Sequence, residues 1–182
     1  EGRDKTLWTP LMTPDELPQG AGQQIQSMLI NFLSSRMDAP RDVKAVGRQQ
    51  NCRVNFKTVH LVGSCGAGTS IDDSDVDLVV TFGSDESCSR FDVPTDADLM
   101  CWLNEICKFD EGPDCRGGLF EYVRRVTACS VNVEKKAPIS HPLGSNIVVL
   151  KWPIDEKYID VDLEVGIEPD DDNLSALRSM PM

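Results

Sequence analysis

Apolar residues recur at helical spacing over residues 23–36, where Ile25, Met28, Leu29, Phe32 and Leu33 fall on one stripe. That spacing predicts an amphipathic helix with one buried face. Ahead of it, Pro10, Pro14 and Pro18 interrupt any regular element, so residues 1–22 read as an irregular arm. Residues 38–51 are polar and read as a loop. Val54, Phe56 and the run Val59, His60, Leu61, Val62 then predict a strand that ends at Gly63. Residues 75–82 predict a second strand, too apolar at its end to be exposed, lying beside the first in one sheet. Thr95 and Asp98 have the spacing of a capping box, and Leu99, Trp102, Leu103 and Ile106 continue it as a second amphipathic helix over residues 95–108. Residues 112–118 form a loop, and residues 120–133 fit a helix or a strand equally well. Residues 146–152 and 158–165 are two strands joined by a short Pro-containing turn, hence a hairpin. The expected fold is α+β: a short mixed sheet backed by helices over residues 23–168, followed by an acidic tail over residues 169–182.

In the last strand Ile159, Val161, Leu163 and Val165 alternate with Asp160, Asp162 and Glu164, which sends three carboxylates to the face away from the core. By the same alternation Asp75 and Asp77 point one way and Val76 the other. Carboxylates aimed together repel unless a cation or solvent screens them. Divalent magnesium relieves that repulsion, taking carboxylate oxygens together with substrate phosphates. Asp75, Asp77 and a third carboxylate from an adjoining strand, Asp162, would suit two-metal phosphoryl transfer, with Asp160 on the same face as the alternative third ligand. Gly63 and Ser64 end one strand and open a turn whose backbone N–H groups and hydroxyl suit phosphate oxygens. Lys151 is a candidate cation beside such a cleft.

Composition sets limits on this picture. The 182 residues, 40% of them hydrophobic, suffice for one domain with a real core. No apolar run approaches the roughly 18 residues of a membrane helix, and the N-terminus lacks a signal-peptide core, so the expected setting is cytoplasmic or nuclear, away from membranes. Seven cysteines without a Cys-x-x-Cys pair point to reduced thiols, and Cys101, Cys107, Cys115 and His141 match no standard zinc spacing. The formal charge of −12 argues against a firm grip on long nucleic acid by this chain alone. Between Arg116 and Lys157, however, seven Lys and Arg face four Asp and Glu, a local excess along which a triphosphate or strand would fit.

A strand ending in Gly63-Ser64, an interval of ten residues, and then Asp75-Val76-Asp77-Leu78-Val79-Val80 resembles the signature of the DNA polymerase β-type nucleotidyltransferase superfamily. The ten-residue interval and the Ser-Asp-Val-Asp run resemble non-canonical poly(A) polymerases and terminal uridylyltransferases. Gly68-Thr69 and the run from Asp162 to Glu168 look more like 2′-5′ oligoadenylate synthetases and cyclic GMP-AMP synthase-like enzymes. The resemblance implies a polymerase β-like palm, Mg2+ or Mn2+ held by Asp75, Asp77 and Asp162, and a nucleoside triphosphate whose phosphates meet Gly63, Ser64 and Lys151. It implies template-independent transfer of a nucleoside monophosphate to an RNA 3′ hydroxyl with release of pyrophosphate. The alternatives are synthesis of 2′-5′ oligoadenylate or a cyclic dinucleotide, or a catalytically inactive relative kept as a binding or dimerisation module. Members of both families carry a helical domain after the third aspartate, and this chain ends soon after Asp162, so a further C-terminal domain or a protein partner is expected.

Overall fold

The computed structural model describes residues 20–37, 41–44, 51–63, 75–84, 94–111, 115–127, 134–135, 147–154 and 157–168. The predicted arm up to residue 19, Ser64 with the loop that follows it, and the acidic tail lie outside these residues.

Helix α1 (Ala21–Arg36) buries all five of its predicted apolar positions completely. Arg36 closes the last turn, where a cation complements the helix dipole. Its guanidinium lies 5.5 Å over the Phe32 ring, and Nη2 donates to the Gly117 carbonyl at 2.9 Å.

The stretch expected to be a loop holds strand β1 (Arg41–Lys44), paired antiparallel with the start of β2 (Asn51–Val62). Val43 is its one apolar residue, so β1 carries no alternation to read; backbone pairing at a sheet edge suffices to form it. Strand β3 (Val76–Ser84) runs antiparallel to β2, with an irregularity in register between Phe56 and Thr58.

Helix α2 (Asp96–Cys107) begins with the predicted capping box. The Asp98 N–H donates to Thr95 Oγ1 at 3.2 Å, and the Thr95 N–H donates to Asp98 Oδ2 at 3.0 Å. A single 3-10 turn (Phe109–Glu111) follows. Helix α3 (Leu119–Thr127) settles the first part of the ambiguous segment as helix. Strands β4 (Glu134–Lys135), β5 (Val148–Ile154) and β6 (Lys157–Ile167) complete the order, and β5 and β6 form the predicted antiparallel hairpin.

The six strands make one mixed sheet in the order β1-β2-β3-β6-β5-β4, in which β3 and β6 are parallel and the other pairs antiparallel. The expected α+β class, a mixed sheet backed by helices, is what the chain adopts. Val76, Leu78, Val80 and Phe82 of β3, Val161 and Leu163 of β6, and Leu150 and Trp152 of β5 share one core with the apolar sides of α1, α2 and α3. Trp102 joins its margin, 5.2 Å from the Phe82 ring. Among the described residues the three α-helices thus cover one face of the sheet, and the alternate residues of β3, β5 and β6 lie on the other. Among the described residues no helix is long and apolar enough to cross a membrane.

Candidate active site

Strand alternation and register bring the predicted carboxylates together. Because Val76, Leu78 and Val80 are drawn into the core, Asp77 must point to the opposite face. The same logic applies to Asp160, Asp162 and Glu164, which alternate with buried Val161, Leu163 and Val165. The parallel register sets Asp77 directly beside Asp162, and Val76 beside Val161. Neighbouring strands are about 4.8 Å apart, so these two carboxylates are nearest neighbours on one face. Asp75 is exposed one position before the Val76–Val161 pair, level with Asp160.

The electrostatics follow from this crowding. The Asp162 carboxyl is held above the ordinary carboxylate range, first by burial and then by repulsion from Asp77, Asp75, Asp160 and Glu164. Lys151 of β5 is level with Asp160, half-buried on the same face, while Val149 is level with Asp162. Lys151 is therefore the cation of β5 turned toward the acidic row. Arg124 and Arg125 belong instead to α3 in the helical layer, and Arg125 Nη2 donates to Glu121 at 2.8 Å. The positive segment of the sequence is thus divided between the two sides of the sheet.

Gly63 ends β2 with φ of +66°, in the left-handed region, and the space a Cβ would take is held by the Asp77 carboxylate, whose Cγ is 3.3 Å from that position. Gly63, expected to meet a phosphate, is in contact instead with a catalytic candidate. Ser64, its predicted partner in phosphate binding, lies outside the described residues.

The donor set suits a hard, oxygen-preferring divalent cation: several carboxylates on one sheet face, two in register. The side chains are not gathered into a ready cage, since among the described residues no group of three or more His, Cys, Asp or Glu is arranged to hold a metal ion.

Three further polar residues lie farther along the sheet from the acidic row and carried no local signal. The Glu168 carboxylate meets His60 Nε2 at 3.0 Å with one oxygen and accepts from Thr81 Oγ1 at 3.1 Å with the other, while its backbone N–H donates to the Phe82 carbonyl at 2.8 Å. His60 is accordingly part of a clasp that fastens the end of β6 across β3 to β2. Two residues of that clasp come from β2 and β3 and the third follows β6, which no short window of sequence unites.

The chain matches no protein-family model, no curated protein and no solved structure.

Proposed function

We propose that this domain is a metal-dependent nucleotidyltransferase with a polymerase β-like palm, transferring a nucleoside monophosphate from a triphosphate to an RNA 3′ hydroxyl. The observation that carries the reading is the register of Asp77 with Asp162 on adjacent parallel strands, on the sheet face opposite the core that the described helices share. Asp75, Asp77 and Asp162 would hold Mg2+ or Mn2+, with Asp160 close enough along β6 to substitute for or assist Asp162. Bound there, the metal would acidify the acceptor hydroxyl and offset charge on the triphosphate and the departing pyrophosphate.

The chain's own residues have separable tasks in this reading. Asp77 and Asp162 fix the reacting groups on a rigid sheet rather than on a loop, which restricts their approach and lowers the entropic part of the barrier. Gly63 leaves Asp77 the room to occupy that position. Lys151 contributes positive charge beside the phosphates, and Gly63-Ser64 contributes backbone and hydroxyl donors to them.

The test is to incubate the purified protein with each labelled ribonucleoside triphosphate and Mg2+ or Mn2+, with and without an RNA acceptor. Extended RNA is the expected product. Acceptor-free oligomers would identify a signalling-nucleotide synthase instead, and no product from any combination would leave a binding module. The double substitution Asp75→Ala with Asp77→Ala should lower turnover by at least about a hundredfold. Unchanged turnover in that variant would remove the site assignment.

A further inference from the structure

Two large apolar side chains among the described residues are exposed, Val62 at 37% and Tyr158 at 46%, and both stand on the carboxylate face. Val62 is level with Asp77 in the β2–β3 register. Tyr158 is level with buried Pro153 across the hairpin, two positions before Asp160 and four before Asp162. The chain's other tyrosine, Tyr122, is packed in the core 5.5 Å from Phe32, with its hydroxyl bonded to Asn31. The acidic row is therefore bordered by exposed apolar side chains on the sheet face opposite the described helices. Carboxylates flanked by an aromatic ring suit a molecule that is anionic and metal-binding at one end and flat and apolar at the other.

Position supports the same occupant. Four residues of strand span about 13 Å, so the Tyr158 ring stands off from Asp162 by roughly the reach of a nucleotide from its phosphates to its base. It also lies toward the end of the sheet where β2 stops at Val62 and β3 begins. We propose that Tyr158 is the platform on which the base of the bound nucleotide stacks while its phosphates lie at Asp77 and Asp162. The assignment rests on the nucleotidyltransferase reading and adds a binding residue that the sequence motifs do not contain. Stacking uses the π-face that every base presents, so Tyr158 would strengthen nucleotide binding without choosing among bases by their edges.

The experiment is calorimetric titration of the full chain, in Mg2+, with the α,β-methylene analogue of each ribonucleoside triphosphate and with inorganic tripolyphosphate, which has no base. Native protein, Tyr158→Ala and Tyr158→Phe are compared after thermal melts confirm that each is folded. Tyr158→Ala should weaken the best-bound analogue by about tenfold while leaving tripolyphosphate unchanged, and Tyr158→Phe should stay within about twofold of native. Equal analogue affinity in native protein and Tyr158→Ala, with tripolyphosphate bound by both, overturns the platform and leaves the phosphate site standing. A parallel loss of both ligands in Tyr158→Ala also overturns it, because the residue would then support the fold rather than the base. Failure of the native chain to bind either ligand overturns the nucleotide reading together with this one.

Discussion

Gly63 shows how one residue type serves backbone and site at once. Its positive φ is a conformation that side chains resist, and the volume beside it belongs to Asp77. Gly63→Ala should cost about 1–2 kcal/mol from backbone strain and the displaced carboxylate, measurable by urea denaturation. The same variant should lose metal-dependent turnover more steeply than it loses stability, because the carboxylate that moves is one of the pair in register. A variant as stable as native protein would show that Asp77 and the end of β2 readjust without strain. Glu168 illustrates the complementary case: its two carboxylate oxygens engage His60 and Thr81, so it belongs to the scaffold rather than to the acidic row.

At the scale of elements, α2 depends on its first turn. Thr95 and Asp98 exchange hydrogen bonds that satisfy two otherwise open backbone donors, and Thr95→Ala should cost about 1 kcal/mol in denaturant midpoint analysis. That capping box was legible in the sequence because it is a local device, as were α1, β2, β3 and the β5–β6 hairpin, whose apolar residues recur at the period of the element they form. Helix α3 was not, because it spans only nine residues, too few for the stripe of Leu119, Tyr122, Val123 and Val126 to exclude a strand. Strand β1 was hidden for the opposite reason, having too little apolar content to show a period at all. For the site, alternation alone fixed which way Asp75, Asp77, Asp160 and Asp162 point. It could not say that β6 lies beside β3, since that pairing is a long-range choice, and neither Tyr158 nor the Glu168 clasp had any pattern to announce it.

The whole molecule carries a formal charge of −12, and the acidic row concentrates part of it on one face. Folding raises the Asp162 carboxyl above its ordinary value of 3.8, so its proton is bound more tightly in the folded state. Its contribution to stability is therefore fully present below 3.8 and is lost as pH rises through the folded value. Without metal at neutral pH the ionised group is a liability, although solvent reaches the row and moderates the repulsion. Asp162→Asn should then melt about 1–2 °C above native protein, with the difference shrinking as pH is lowered toward the ordinary carboxylate range. Mg2+ should raise the melting temperature of native protein and raise that of Asp162→Asn less. An Asp162→Asn variant that melts below native protein at neutral pH would mean that the carboxylate is compensated.

Strand β6 lies between β3 and β5, and its two seams differ in kind. One joins it to the strand just before it in the chain, across a short turn; the other joins it to a strand from the first half of the domain. Contacts between distant segments close late, because the loop entropy must be overcome before they are rewarded. The hairpin can zip on its own, but Asp77 and Asp162 meet only when it docks against β3 with the intervening helices in place. During synthesis the acidic charge accordingly stays dispersed along the nascent chain, and the site comes into being only as the sheet closes.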